Sequence, residues 1–225
     1  NIVVHLAWEN IPDFSKKMCN INLQNTKFFF NKILKLKSIE KIIVSGSCFE
    51  YKSKNGIKKE YNKINTSDNF PNTKNIIYEF LKKKCKKSQK IAWFRIFYAY
   101  GPGQRKESLI PYIINCTNNK KIIEIKTPFF KNDFIYVGDI INVISKSFYV
   151  NFKSGIYNLG SGIGTETKKI IEIIEKIKKI KINFNLNKNS KTKKFVASMN
   201  KTKKTFEYYK FVNIKTGLKK TLLKI

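Results

Sequence analysis

Arginine is almost missing from this sequence, although basic residues dominate its charge. Of the 46 lysine and arginine residues only Arg95 and Arg105 are arginine, and 15 acidic residues leave a formal net charge of +31. Such a charge indicates either a nucleic-acid or acidic-surface ligand, or a compositional bias toward lysine. Phosphate clamps and base readers favour arginine for its bidentate fork, and the lysines here are interleaved with isoleucine and asparagine. We therefore expect no specific nucleic-acid partner, only loose polyanion binding at low salt.

Other scarcities exclude further classes of protein. No apolar run is long enough to span a membrane, and no signal peptide precedes the strand predicted over residues 2–7, so we expect a cytoplasmic protein without membrane contact. The cysteines show neither metal-ligand spacing nor a paired framework, so we expect reduced thiols and no metal site. The single histidine, His5, lies in the first predicted strand, where a structural packing role is the expected one.

Hydrophobic residues make up 42% of the 225 residues, enough to build a core and to argue against global disorder. Apolar β-branched runs predict strands at 2–7, 41–46, 90–97 and 156–159. Helical patterns are predicted at 14–34 and 71–85, and a later helix carries a stripe of isoleucines at 3.6-residue spacing that is expected to be core: Ile170, Ile173, Ile174 and Ile177.

The stretch from Lys41 to Lys74 organises the candidate site. A short buried strand ends in small hydroxyl residues, Ser45 and Ser47, and chemistry in an open parallel sheet lies at the carboxyl ends of its strands. A helix then begins near Phe70 and carries Lys74 in its first turns. Residues four apart on a helix share a face, so positions 70 and 74 are expected to meet over one ligand.

These residues resemble a known pattern. In the extended short-chain dehydrogenase/reductase family, which comprises NAD(P)-dependent epimerases, dehydratases and reductases of nucleotide sugars, a Ser or Thr stands four residues before a Tyr, as Ser47 does before Tyr51. A Tyr-x-x-x-Lys pair follows, and here that pair is Phe70 and Lys74. The resemblance continues along nearly all of the chain, through Arg95 to Pro102, Lys131 to Asp139, Tyr157 to Gly162, and Gly217 to Thr221.

The resemblance implies a fold and a division into two parts. We expect an α/β, Rossmann-like, doubly wound parallel sheet with a smaller C-terminal substrate lobe, in which the four predicted strands are parallel neighbours. Residues 1–104 plus 133–160 would form the remainder of the dinucleotide-binding domain, and residues 105–132 plus 161–225 the substrate-binding lobe. Because the likeness begins at the family's fourth strand and no Gly-x-x-Gly-x-x-Gly turn is present, we expect a member that lacks its first βαβαβ half, with strand 2–7 at an exposed edge.

The resemblance also implies roles for particular residues around one cleft, with NAD or NADP as cofactor and no metal. The implied catalytic residues are Ser47, Phe70 and Lys74. The implied cofactor contacts are Leu6, Ala7, Asn22, Ser45, Lys74 and Tyr98. The implied substrate contacts are Tyr98, Gln104, Ser108 and Asn132. From the residues alone, Asn22 is equally well explained as a solvated asparagine on a helix face.

Phe70 is the main departure from the family pattern. A lysine ammonium lowers the pKa of a neighbouring phenol toward working pH, so that the phenol can exchange protons with a sugar hydroxyl or ketone. Phenylalanine has no proton to give. A second departure is Asn132, which stands where the family has an arginine that reaches nucleotide phosphates, and an asparagine cannot replace that bidentate cation.

Within the family, Cys48 and Phe49 separate this chain from the sugar 4,6-dehydratases. Those enzymes carry Asp and Glu directly after the catalytic Thr, and neither Cys48 nor Phe49 can act as that acid–base pair. The run Ser45 to Tyr51 is most similar to reductases and epimerases of 4-keto-6-deoxyhexoses, which implies a nucleotide-sugar substrate, expected to be dTDP-linked, and allows a homodimer. Two hypotheses stay open: an impaired NAD(P)-dependent nucleotide-sugar epimerase or reductase, and a non-catalytic relic or interaction subunit of an intact homologue.

Overall fold

The computed structural model describes residues 1–223 as a set of parallel sheets and helices. The strands are β1 (Ile2–His5), β2 (Lys41–Ser47), β3 (Gly56–Lys58), β4 (Lys90–Ile96), β5 (Tyr98–Tyr100), β6 (Ile123–Ile125), β7 (Phe130–Tyr136), β8 (Gly155–Leu159), β9 (Gly164–Glu166), β10 (Phe184–Leu186) and β11 (Lys193–Ala197). The helices are α1 (Lys16–Ile33), α2 (Asn69–Lys84), α3 (Leu109–Asn118), α4 (Val137–Tyr149), α5 (Thr167–Lys178), α6 (Asn200–Phe206) and α7 (Ile214–Leu222). A short 3-10 turn, Cys48–Glu50, follows β2.

The main sheet has the strand order β1-β2-β4-β8, and every pairing in it is parallel. These are the four strands predicted from the sequence, so the prediction of parallel neighbours is confirmed. Within the described chain β1 pairs only with β2, which places it at the edge of this sheet. The side chains of Ile2 and Val4 are 38% and 40% exposed on that edge strand.

Helices cover both faces of the main sheet, as a doubly wound fold requires. Successive residues of a strand point to opposite faces, and β2 shows this clearly. Ile42 and Val44 pack with α1 and α2, whereas Ile43 packs with α4 and α6 on the other side. The carboxyl end of β2 is therefore held between two helical layers, which fixes the position of Ser45 and Ser47.

A second part of the molecule is built around shorter strands. Strands β3, β11, β7 and β5 form a parallel array, with β9 added antiparallel to β7, and β10 pairs with β6. Helices α3, α5 and α7 contribute to a separate apolar core, and the predicted isoleucine stripe belongs to it: Ile170 and Ile174 are fully buried and Ile173 and Ile177 pack against them. The exact division of residues between the two parts stays a prediction.

Candidate active site

Ser47 ends β2 and starts the 3-10 turn that follows. Its hydroxyl accepts a hydrogen bond from the Phe49 amide at 3.2 Å, and its own amide donates to Glu50 Oε1 at 2.7 Å. This reciprocal pair is a capping box, which satisfies amide donors that the start of a turn leaves unpaired. The turn therefore presents the Ser47 side chain at the carboxyl end of the sheet, where the sequence predicted it.

Phe70 and Lys74 share one face of α2, as their spacing predicts. The Lys74 ammonium lies 5.9 Å from the centroid of the Phe70 ring, well within two helical turns of about 5.4 Å each. The ring also packs against Trp8 at 4.9 Å and Phe14 at 4.4 Å between centroids. Phe70 thus belongs to an aromatic cluster contributed by the loop between β1 and α1.

Lys74 is almost fully buried, with 5% of its side chain exposed. Its ammonium donates to the Ser45 carbonyl at 2.9 Å and lies 4.5 Å from the centroid of the Trp8 ring. Burial lowers the pKa of Lys74 to about 8, and the negative charge of Glu50 opposes that shift. A lysine in this setting can exchange a proton near neutral pH, unlike an exposed one.

Asn22 is buried and hydrogen-bonded to neighbouring backbone groups. The side chain is 5% exposed, so the alternative of a solvated helix-face asparagine is wrong. Its Oδ1 accepts from the Glu9 amide at 2.7 Å, and its Nδ2 donates to the carbonyls of Glu9 and Met18 at 3.2 and 3.0 Å. Asn22 therefore fastens the loop after β1 onto α1, and it is this loop that carries Trp8 and Phe14.

Three clefts share the predicted site residues. Leu6, Ala7 and Asn22 line one of about 500 Å³, together with His5 and Trp8. The other two are the Phe70 cleft, of about 420 Å³, and the Ser47 cleft, of about 350 Å³, which Tyr98, Gln104 and Ser108 also line. Phe49 lines both of these last two. The expected single cleft is divided, and the residue roles stay predictions.

Aromatic side chains form much of the Ser47 cleft. The Tyr98 ring packs against Phe49 at 6.1 Å and Phe134 at 5.7 Å between centroids, and burial raises the pKa of its phenol, which stays neutral at working pH. Gln104 donates from Nε2 to the Ala99 carbonyl at 3.0 Å, while its buried Oε1 has no partner within residues 1–223. Asn132 lies on β7 two positions before Phe134 and does not line this cleft.

A buried polar network beneath Ser47 was not predicted from the sequence. Glu50 and Arg95 are 0% and 1% exposed and form an ion pair at 2.8 Å, and the Trp93 indole donates to the same carboxylate. Two signals were present: the Ser47-x-x-Glu50 spacing of a capping box, and one of only two arginines placed in an apolar strand. Tyr51 is fully buried as well and donates its hydroxyl to Asn158 Oδ1 at 2.6 Å, so its phenol does not face a ligand.

The sequence of this chain is similar to those of known nucleotide-sugar enzymes. The chain is 30% identical over 183 residues to dTDP-4-dehydro-6-deoxyglucose reductase of Escherichia coli, a match covering 77% of this chain and 58% of the relative. It is 32% identical over 84 residues to CDP-abequose synthase of Salmonella muenchen, covering 36% of this chain and 29% of the relative. The matches thus span less than two thirds of either relative.

Solved structures share the fold at low identity. A UDP-N-acetylglucosamine 4-epimerase from Methanobrevibacter ruminantium superposes with a TM-score of 0.85 and 20% identity, covering 100% of this chain and 76% of that one. A Tyr-to-Phe mutant of UDP-glucuronic acid 4-epimerase from Bacillus cereus, solved with a fluorinated UDP-sugar and NAD, gives 0.83 and 21%, covering 100% and 75%. No helix among the described residues is long and apolar enough to cross a membrane. The model of the NAD dependent epimerase/dehydratase family matches residues 1–160, and the chain belongs to that family.

Proposed function

We propose that this chain is a nucleotide-sugar epimerase or reductase of the 4-keto-6-deoxyhexose type whose proton-transfer step is impaired by Phe70. One observation carries the proposal: Lys74 lies 5.9 Å from the ring at position 70 and binds the Ser45 carbonyl, two residues before Ser47. The family's serine and lysine are thus present on their expected elements, and the phenol of this trio is missing. The likeness to a dTDP-4-dehydro-6-deoxyglucose reductase supports a dTDP-linked substrate.

The substrate would occupy the Ser47 cleft. The Ser47 hydroxyl would hydrogen-bond the reacting oxygen of the sugar, since it lines this cleft together with Tyr98, Gln104 and Ser108. The unpartnered Oε1 of Gln104 is an acceptor that a sugar hydroxyl can satisfy. The walls of Phe49 and Phe134 would exclude water and give an apolar surface to the sugar ring.

The cleft of about 500 Å³ that His5 and Trp8 line fits one end of NAD or NADP. Leu6 and Ala7 supply apolar surface there. Two buried polar atoms, His5 Nδ1 and Trp8 Nε1, have no partner among the described residues, and a ribose or carboxamide group can pair with them. When bound, the cofactor supplies hydride transfer chemistry. The 225 residues contain no Gly-x-x-Gly-x-x-Gly turn for the pyrophosphate, so we expect weak binding by this polypeptide on its own.

Proton transfer is the step that Phe70 impairs. A positioned acid–base group typically contributes about 10²–10⁴-fold to a rate, and Phe70 has no proton. Tyr51 does not replace it, because its hydroxyl is buried against Asn158. Any residual turnover would use the neutral phenol of Tyr98 or a water held by Ser47, both at the Ser47 cleft.

Four proteins test this proposal. They are the unmodified chain, Phe70→Tyr, a chimera in which the N-terminal half of an intact family member precedes residue 1, and that chimera with Phe70→Tyr. Each is titrated with NAD and NADP and assayed for turnover of a dTDP-4-keto-6-deoxyhexose. We expect no measurable turnover from the first two, cofactor binding by the chimera, and a rate increase of about 10²-fold or more when the chimera regains the phenol. Robust turnover by the unmodified chain would overturn the proposal.

A second candidate function is a non-catalytic interaction subunit that pairs with an intact homologue. The observation that favours it is the unpaired edge of β1, where Ile2, Val4 and the following Leu6 are 38%, 40% and 53% exposed. A sheet edge with exposed apolar side chains is a template for pairing with another chain. Such a subunit would need the fold but would not need a tyrosine at position 70.

A further inference from the structure

Two oppositely charged side chains hold the strand end that presents Ser47. Lys74 Nζ donates to the Ser45 carbonyl at 2.9 Å, and Glu50 Oε1 accepts from the Ser47 amide at 2.7 Å. The two peptide groups flank Gly46, so a cation binds one side of this residue and an anion binds the other. The position of Ser47 therefore depends on both charges.

Glu50 is the centre of this arrangement. The carboxylate is completely buried and accepts from the Ser47 amide, the Trp93 indole at 3.0 Å and Arg95 Nε at 2.8 Å. Arg95 itself lies 4.6 Å above the Tyr51 ring and donates to the Glu60 carbonyl at 3.2 Å. Because its donors come from two different elements, the carboxylate has little freedom to move away from the strand end.

Gly46 allows the network to touch the backbone directly. A Cβ at this position would lie 2.2 Å from Trp93 Nε1 and 2.6 Å from Glu50 Oε1. No other residue fits without moving the indole or the carboxylate. The close approach keeps the negative charge of Glu50 against the peptide groups on both sides of residue 46.

The same carboxylate acts on the Lys74 ammonium. Two titratable groups influence Lys74 or are influenced by it: Glu50 in the turn after β2, which favours the charged amine, and His5 on β1, whose pKa is lowered by burial and by the Lys74 charge. Arg95, from β4, binds the same carboxylate and reduces the part of its charge that Lys74 experiences. Trp8 and Phe70 cover the ammonium with ring faces, which keeps water from screening the interaction.

We propose that Glu50 is a positioning residue for this site: it orients Ser47 through the backbone amide on one side of Gly46, while Lys74 holds the Ser45 carbonyl on the other side. The inference rests on the proposed function only in assigning ligand contacts to Ser47 and Lys74. The hydrogen bonds on the two sides of Gly46 are a property of the folded chain and need no ligand. It also explains why the turn after β2 carries a buried charge pair, whose desolvation is costly, directly beneath the serine.

The test is a pH titration of Lys74 by NMR on lysine-labelled protein, with assignment by Lys74→Arg. Burial also lowers the pKa values of Lys58 and Lys201, and the Lys74→Arg spectrum distinguishes the Lys74 signal from both. In Glu50→Gln we expect the proton affinity of Lys74 to fall at least about tenfold, equal to one pKa unit, and the Ser47 amide to lose its protection from hydrogen exchange. Glu79→Gln, an exposed carboxylate on the same helix that pairs with Lys82, is the matched control and should leave both values unchanged.

A lower melting temperature in Glu50→Gln with unchanged Lys74 titration and unchanged Ser47 exchange would show a merely structural role and overturn the proposal. If Glu50→Gln does not fold, Glu50→Asp decides, because it keeps the buried charge and its arginine partner. The shorter side chain should remove Ser47 protection while retaining most of the Lys74 proton affinity; protection equal to that of the unmodified chain would overturn the proposal. None of these measurements needs cofactor or turnover, so failure of the proposed function and failure of this inference are distinguishable.

Discussion

Lys74 carries a charge into the buried interior of the molecule. Its contacts are a carbonyl and two aromatic rings, which together replace only part of the hydration that an ammonium loses on burial. The pKa of about 8 records this loss. Lys74 therefore destabilises the folded chain, and the resulting loss of unfolding free energy is measurable without any ligand.

We expect Lys74→Met to stabilise the fold at neutral pH. The folded pKa of about 8 lies below the unfolded value of about 10.4, and each pKa unit corresponds to about 1.4 kcal/mol. The shift therefore corresponds to about 3.3 kcal/mol. After subtracting about 1.5–2 kcal/mol for the lost hydrogen bond from a charged donor, the gain in unfolding free energy should be about 1–2 kcal/mol at pH 7. Below pH 8 the amine is protonated in both states and the penalty is complete; it disappears as the pH rises toward 10.

Urea unfolding at pH 7, 9 and 10 measures the difference in unfolding free energy between Lys74→Met and the unmodified chain. This difference should become smaller with increasing pH. Lys82→Met on the exposed side of the same helix, where the lysine is 64% exposed, is the control and should change stability by less than about 0.5 kcal/mol. A Lys74→Met protein that is less stable at pH 7, or a difference that does not depend on pH, would contradict the assigned cost of burying this amine.

Sequence spacing could locate Ser47, Phe70 and Lys74 but not their surroundings. The end of an apolar strand and an i, i+4 pair on a helix are local patterns. The structure places Phe70 beside Lys74, and Lys74 binds the carbonyl of Ser45, two residues before Ser47. The packing of Trp8 and Phe14 on Phe70 joins segments far apart in the chain, and no local pattern encodes it. For the same reason the hydrogen bonds between the Asn22 side chain and the Glu9 backbone could not be foreseen.

At the scale of helices and strands, the success of prediction from the sequence depended on the length of each element. The four strands of the main sheet have four to seven residues each and lie between long amphipathic helices, so both their existence and their parallel order were predictable. Strands β3, β5, β6, β9 and β10 have three residues each. Three residues cannot show a period-2 pattern against their neighbours, and these strands acquire their conformation from tertiary pairing.

The edge strand β1 gives a prediction at this scale. A strand that exposes Val4 and has one edge without a partner among the described residues should pair with a second chain, and a charge on its face should block that pairing. We expect the 225-residue chain to self-associate, or to associate with a co-expressed intact family member, and Val4→Lys to weaken the association at least about tenfold, or about 1.4 kcal/mol. Sedimentation velocity over a concentration series measures it.

Ile122→Lys is the matched control for that experiment. It adds the same charge at an aliphatic residue that is 56% exposed but lies outside the β1 edge, and it should leave association unchanged. A chain that remains monomeric at all concentrations and does not bind the intact homologue would remove the interaction subunit as a candidate function.

At the scale of the whole molecule, the Ser47 cleft is the one among the three described clefts that both parts of the chain line. The main sheet and its helices hold Ser47, Lys74 and Phe70, whereas β5 and the α3 segment bring Tyr98, Gln104 and Ser108 to the Ser47 cleft. The site therefore depends on the packing of the two parts against each other. The proposed ligand contacts are drawn from both parts and lie at the carboxyl ends of the strands, which is the usual position of an α/β site.

The net charge of +31 gives the last prediction. Arg95 is buried against Glu50, so only Arg105, which is exposed and lines the Ser47 cleft, is available to a phosphate, and a single arginine does not make a basic reading surface. Lysines alone should bind a polyanion through counterion release without reading its sequence. In anisotropy titrations with two DNA duplexes of equal length and different sequence, we expect equal affinities at about 20 mM salt and a loss of about 10³-fold or more by about 200 mM. A duplex preference that persists at the higher salt would show that the basic surface contains a specific nucleic-acid site, and the lysine-rich composition would then have a functional cause rather than a compositional one.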